Sequence, residues 1–182
     1  KETVMLLETP RLLLRELNED DFDALYAILS DAQTMRYYPA ALDAAQVHDW
    51  IARNRRRYAQ DGFGLWAVIL KETGALIGDC GITVQSIHGR QLPEIGYHIH
   101  KVHQRRGYAS EAAARCMRYA FETLRLPAVY SYMKYTNVAS YTVAIKNGMH
   151  FVEEYADPVN TRTRVYAITR DTWMQAQHRS YV

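Results

Sequence analysis

The stretch Ile99-His100-Lys101-Val102-His103-Gln104-Arg105-Arg106-Gly107-Tyr108-Ala109-Ser110-Glu111 decides how this chain is read. A strand runs into a basic loop, a glycine closes the loop, and small residues open a long helix. A helix N-terminus offers unpaired amides and a partial positive charge, which together attract anions. Gly107 permits a ligand to approach the backbone, Ala109 keeps the first turn slim, and Arg105 and Arg106 add charge. On the residues alone, two readings stand: a phosphate-binding loop, or a plain strand-to-helix connection in which the glycine serves geometry only.

Working backwards, Glu94 to His100 alternates strictly: Ile95, Tyr97 and Ile99 lie on one face, Glu94, His98 and His100 on the other. Phe63 to Leu70 and Ala75 to Val84 read as a hairpin across Lys71-Glu72-Thr73-Gly74. Further upstream, Asp43 to about Gln60 predicts a helix with Val47, Trp50, Ile51 and Tyr58 inward. Another starts near Asn18, with Phe22, Leu25, Tyr26 and Leu29 on its apolar face. Arg11 to Arg15 reads as the first strand. Working forwards, Ala109, Ala112, Ala113, Cys116, Met117, Ala120, Phe121 and Leu124 mark the apolar face of a long helix that Pro127 ends. Val129 to Lys134 is a strand. Asn137 caps a short helix with Val138, Tyr141, Thr142 and Ile145 on its face and Gly148 at its stop. Met149 to Glu154 and Arg164 to Thr169 are the last strands. The order β-α-α-β-β-β-α-β-α-β-β predicts an α/β or α+β protein built on a mixed sheet, and excludes a bundle or a sandwich.

The 182 residues predict one domain, 1–182, able to bury about 70% of the unfolded surface. Apolar residues make up 48% and charged residues 23%, a globular profile with no apolar run near the ~18 residues of a membrane span. Lys1-Glu2-Thr3 does not open a signal segment. With 22 basic and 20 acidic residues the net charge is +2, which demands neither nucleic acid nor a membrane as partner. Arg53, Arg55, Arg56 and Arg57 form a basic cluster that reads as a solvated helix face; an RNA-associated role is the rival reading. Cys80 and Cys116 are too few for a disulfide framework or a four-ligand zinc site, and a reducing cytoplasm is expected. His98 and His100 share a strand face but His103 falls in the loop, so no metal site is expected. Tyr130, Tyr132 and Tyr135 read as lining a sheet face or a cleft, not as a nucleic-acid stacking platform.

Gln104-x-x-Gly107-x-Ala109 resembles the Q/R-x-x-G-x-G/A acetyl-CoA motif of the GNAT acyltransferase superfamily. Three further blocks extend the likeness over nearly the whole chain: Thr9-Pro10-Arg11-Leu12-Leu13-Leu14-Arg15, Glu94-Ile95-Gly96-Tyr97, and Asn137-Val138-Ala139-Ser140 through Lys146-Asn147-Gly148-Met149. These are similar to the branch that acetylates ribosomal-protein N-termini, the Rim type. The resemblance implies a mixed, mostly antiparallel central sheet flanked by helices and splayed between the strands on either side of the long helix. It also implies acetyl-CoA as the co-substrate and a primary amine as the acceptor, whether a protein N-terminal α-amine, a small amine or an antibiotic. A non-catalytic acyl-CoA-binding module is the other alternative. Monomer and homodimer are both open.

By position, the resemblance gives Ile99 and Lys101 backbone bonds to the pantetheine arm. It gives the pyrophosphate to the amides from Gln104 through Arg105, Arg106, Gly107 and Tyr108 to Ala109, with a side-chain bond from Ser110. Asn137 would contact the cofactor as well as cap its helix. Many relatives protonate the leaving thiolate with a tyrosine where this chain has Ala144; the Rim type uses a serine that corresponds to Ser140. A serine facing its own helix backbone is the plainer reading. Glu94 stands where a glutamate often serves as base; an orienting carboxylate or an exposed strand acid are its alternatives.

Overall fold

The computed structural model describes residues 5–181; Lys1 to Thr3, read above for a leader, lie outside them. The elements are β1 (Met5–Glu8), β2 (Leu12–Arg15), α1 (Phe22–Leu29), α2 (Ala44–Asp61), β3 (Leu65–Leu70), β4 (Leu76–Ile87), β5 (Arg90–Ile99), α3 (Tyr108–Glu122), β6 (Ala128–Lys134), α4 (Val138–Lys146), β7 (His150–Asp157), β8 (Thr161–Thr169) and α5 (Arg170–Arg179). They form an α/β fold on an 8-stranded mixed sheet of order β1-β2-β3-β4-β5-β6-β8-β7. The chain divides into two compact units, 1–83 with 96–116 and 84–95 with 117–182.

In the first unit, the helices α1 and α2 bury one apolar face against the sheet. Leu17, Leu25, Ile28, Leu29, Met35, Val47, Ile51 and Ala67 form a single cluster. Burying each leucine or isoleucine contributes about 1.5–3 kcal/mol. The helix starts are set by side chains. Asn18 and Asp21 make a capping box over a 3-10 turn, Glu19–Asp21, ahead of α1, and the Arg15 guanidinium forks onto Asp21 with both bonds at 2.8 Å. Asp43 and Gln46 make the second box at α2. The sequence reading left out Asn54, which is 1% exposed. Its Oδ1 accepts from the Leu65 N–H and from Arg57, both at 3.0 Å, and so ties α2 to β3. Tyr58 donates to the Leu65 carbonyl and accepts from the Leu17 N–H, and burial pushes its hydroxyl pKa up. Arg53, Arg55 and Arg56 are exposed on the outer face of α2. Gly78 on β4 has a positional reason: a Cβ there would stand 2.0 Å from the His98 carbonyl oxygen.

In the second unit, β6 pairs antiparallel with β8 from Ala128↔Thr169 to Lys134↔Thr163, and β7 closes the edge against β8. The start of β5 pairs in parallel with β6 at Glu94↔Tyr130, and Ser131 Oγ donates to the Ile95 carbonyl at 2.8 Å. The C-terminal helix α5 was not foreseen. Thr169 caps it, Trp173 packs on Phe121 with ring centroids 5.4 Å apart, and Arg170 donates to the Phe121 carbonyl.

Several local expectations change, and a strand, β1, precedes the one expected at Arg11 to Arg15. The strands around position 90 are longer than expected, because His88 and Gly89, both at positive φ, make a two-residue hairpin turn between β4 and β5. On α4 the buried residue is Ala144, 4% exposed, whereas Val138 and Ile145 are 53% and 54% exposed. The inward stripe of α4 therefore passes through Ala144 and not through the larger apolar residues. Among the described residues, no helix is long and apolar enough to cross a membrane.

Candidate active site

The loop that follows β5 belongs wholly to the first unit. The His100 N–H still donates to Ile77 on β4 at 2.9 Å, after which Lys101–His103 form a 3-10 turn. Arg105 at φ 62 and Gly107 at φ 81 then turn the backbone through the left-handed region. That conformation suits glycine and costs an arginine free energy. The ladder of α3 begins with the Glu111 N–H donating to Gly107 at 3.0 Å. The amides from Tyr108 to Ser110 precede that ladder, in the first turn of the helix. A Cβ on Gly107 would lie 3.3 Å from Arg11 Nη2.

Arg11 holds this loop in place. Its Nε donates to Glu111 Oε1 at 2.8 Å, its N–H to Glu111 Oε2 at 3.0 Å, and its Nη1 to the Arg106 carbonyl at 2.9 Å. Its guanidinium also sits 4.4 Å from the centre of the Tyr108 ring. Thr9 Oγ1 donates to the same carboxylate at 2.6 Å. Burial opposes ionisation of Glu111, but the bonds from Thr9 and Arg11 outweigh it and hold the pKa below the usual glutamate value. The Thr9-Pro10-Arg11 block is thus the brace of the loop ahead of α3. Ser110 is 9% exposed.

The residues expected at the thioester end already have partners. The Ile99 carbonyl accepts from Gln104 Nε2 at 2.9 Å. The Lys101 N–H donates to Thr34 Oγ1 at 3.1 Å, and its Nζ to Asp31 at 3.0 Å. Asp31 also accepts from the Thr34 hydroxyl and N–H, at 2.6 and 2.8 Å. The Thr34 hydroxyl, then Lys101, bring its pKa down to about 2. His103 Nδ1 is buried with no hydrogen-bond partner among the described residues, and desolvation, then His100 and Arg106, lower the His103 pKa.

One cluster in this unit escaped the sequence reading. His98 Nδ1 lies 2.7 Å from Asp79 Oδ1, and Trp50 Nε1 donates to Asp79 Oδ2 at 2.9 Å. Tyr38 and Trp50 set their rings against His98 at 5.1 and 5.2 Å. Sequence separation hid it: an aspartate inside an apolar strand and a histidine on the next strand carry no motif. Among the described residues, no group of three His, Cys, Asp or Glu is placed to hold a metal ion.

Glu94, Asn137 and Ser140 belong to the second unit. Glu94 is half-buried on β5. Asn137 Oδ1 accepts from the Ser140 N–H at 3.1 Å, so the cap is made. Ser140 is half-buried, one turn before the buried Ala144. Tyr141 stacks on Tyr166 at 6.0 Å with Arg164 4.9 Å above its ring. Tyr130 and Tyr132 share the half-exposed face of β6, with Val129, Ser131 and Met133 buried on the other.

Comparison with known proteins agrees with this architecture. The model of the acetyltransferase (GNAT) domain matches residues 11–150. A Bacillus subtilis (strain 168) protein, "Uncharacterized protein YkkB", is 36% identical over 146 residues, 80% of this chain and 85% of its own length. From the same organism, "Uncharacterized N-acetyltransferase YnaD" is 32% identical over 146 residues, 80% and 82% of the two chains. The crystal structure of an acetyltransferase from Agrobacterium tumefaciens str. C58 superposes with a TM-score of 0.76 at 29% identity, covering 92% of this chain and 94% of that one. With its mixed sheet and the loop opening α3, the chain belongs to the GNAT acetyltransferases and is an acetyl-CoA-dependent acyltransferase.

Proposed function

We propose that this enzyme transfers acetyl directly from acetyl-CoA to a primary amine, and that the amine is a protein N-terminal α-amine. The observation that carries the donor half is the loop Gln104 to Ser110, turned through the left-handed region at Arg105 and Gly107 and braced by Arg11. Its residues fit a pyrophosphate: amides precede the helical ladder, the glycine leaves the backbone open, and Arg105 and Arg106 add charge. The acceptor half rests on the Rim-type blocks around Glu94 and from Asn137 to Met149. The family match spans residues of both units, which supports one domain over 1–182.

Acetyl-CoA supplies a thioester whose carbonyl carbon takes the amine lone pair while the C–S bond breaks. In this proposal the Lys101 N–H turns from Thr34 to the thioester carbonyl, and the Ile99 carbonyl from Gln104 to the pantetheine arm. Ser140 hydrogen-bonds the departing thiolate. Asn137 keeps Oδ1 on its cap and offers its amide NH2 side to the cofactor. Glu94 serves either as the base or as the carboxylate that draws in the cationic amine. Cys80 and Cys116 are each 0% exposed, which supports direct transfer without an acyl-cysteine. Both thiols are buried and make no disulfide, which also suits a cytoplasmic setting.

The test is thiol release from acetyl-CoA across a panel of N-terminal peptides, polyamines and aminoglycosides. Turnover on peptides that a blocked N-terminus abolishes is the expected result. Turnover confined to small amines or aminoglycosides would overturn the acceptor assignment. Cofactor binding with no turnover on any amine would favour a binding module.

A further inference from the structure

Asp79 is 0% exposed and His98 retains 9% of its side-chain surface. A buried carboxylate is costly unless its oxygens are satisfied, and apolar residues between β4, β5 and α2 would avoid that cost. What the present arrangement provides is orientation. The Trp50 indole N–H can only donate, so it fixes Asp79 Oδ2 and leaves Oδ1 to His98. With Asp79 Oδ1 accepting, a neutral His98 would carry its proton on Nδ1 and its lone pair on Nε2. That tautomer is the one a proton acceptor needs. Titratable and charged groups that bear on the pair include Tyr38 from the segment before α2, and Arg57 and Tyr58 from α2, which act on Asp79. Tyr38 sets its ring against His98 and is itself 44% exposed, so the dyad, with His98 Nε2 buried, lies directly beneath a surface aromatic whose displacement would open it.

We propose that His98 is the general base of the transfer, taking the proton from the acceptor amine at Nε2, with Asp79 and Trp50 as its positioning residues. The inference rests on the acetyl-transfer reading above, and it decides between the two roles left to Glu94. An acceptor ammonium gives one proton to His98 Nε2, and the neutral nitrogen attacks the thioester carbon. His98 then passes that proton to solvent; after attack the nitrogen sheds its second proton, which the thiolate takes up as the C–S bond breaks, leaving the amide and the CoA thiol. Glu94 keeps the orienting role.

The test joins kinetics to a measurement that needs no acceptor. With the best amine of the panel and saturating acetyl-CoA, kcat/KM is followed from about pH 5 to 9, the range in which imidazoles titrate. His98→Gln is expected to lower kcat/KM about 100-fold or more and to erase the acidic limb, while the acetyl-CoA Kd stays within about twofold. Glu94→Gln should raise the acceptor KM and keep that limb. Trp50→Phe retains the ring and deletes one donor to Asp79, so the limb should shift with the fold intact. Nitrogen-detected NMR of the imidazole should show His98 protonated at Nδ1, and Asp79→Asn should change that tautomer. An acidic limb unchanged in His98→Gln, or an Nε2–H tautomer in an active enzyme, overturns the proposal. A wild-type protein inactive with every amine would instead sink the transfer reading and the base with it.

Discussion

At the scale of single residues, the proposed site turns on two small ones, Gly107 and Ser140. Gly107 sits at φ 81 with Arg11 Nη2 3.3 Å from where a Cβ would stand, so bulk here strains the backbone and pushes on the brace. Gly107→Val should keep the fold, because nothing else lies within 4 Å of that Cβ, but should block backbone approach to the pyrophosphate. Acetyl-CoA at about 100 times its Kd adds ~2.7 kcal/mol to the stability of the wild type by mass action. The thermal shift that follows should vanish in Gly107→Val; an unchanged shift would move the phosphate site elsewhere. Ser140 is tested differently. Loss of one donor to a developing oxyanion costs about 2.7–4 kcal/mol, and a thiolate is the weaker acceptor. Ser140→Ala is therefore expected to reduce turnover by about 100-fold or somewhat less, with the acetyl-CoA Kd nearly constant. Wild-type turnover, measured where chemistry limits the rate, would remove Ser140 from the mechanism and turn attention to Tyr141 or water.

At the scale of elements, the turn after β5 is fastened to the end of α1 through Asp31. The folded pKa of Asp31, about 2, lies below the ordinary carboxylate value. A carboxyl with a depressed folded pKa binds fewer protons in the native than in the unfolded state. Its contribution is thus complete above about pH 5 and lost as pH falls towards 2. The melting-temperature gap between wild type and Asp31→Asn should therefore be constant above about pH 5 and close below it. A gap that persists at pH 2 would mean that the carboxylate charge contributes nothing. The same scale shows what was legible beforehand. Asp43, Asn137 and Gly74 announced their helix starts and turn correctly, because caps and tight turns depend on neighbours in sequence. His88-Gly89 was passed over because histidine is an unusual partner for glycine at a turn. On α4 the largest apolar residues predict the wrong inward face, because so short a helix buries only Ala144. The α5 helix has a mean hydropathy too low for periodicity to reveal it, and Trp173 anchors it through a tertiary contact. The Asp79–His98 pair and the Arg11 brace are likewise tertiary, joining residues 19 and 100 positions apart.

At the scale of the whole molecule, the order of chemical events follows from what the chain keeps away from solvent. An acyltransferase without a covalent intermediate must hold donor and acceptor together; one with an intermediate needs a nucleophile that reaches the thioester. Cys80 and Cys116 are the strongest nucleophiles by residue type, and their sulfurs stand 3.7 Å apart at 0% exposure, between β4 and α3. A sulfur with no exposed surface is out of reach of a thioester bound to the folded protein. Neither cysteine is therefore expected to carry acetyl. Initial rates at varied acetyl-CoA and fixed amine should give intersecting double-reciprocal lines, and acetyl-CoA alone should give no burst of free thiol. Cys80→Ala and Cys116→Ala should each turn over within about twofold of wild type at a temperature where both are folded, although the cavities left behind would lower stability. Parallel lines together with a burst that Cys116→Ala abolishes would show a ping-pong route through that sulfur. The buried core around α3 would then have to open during each cycle, and hydrogen exchange at Ala112 and Ala113 would report that opening.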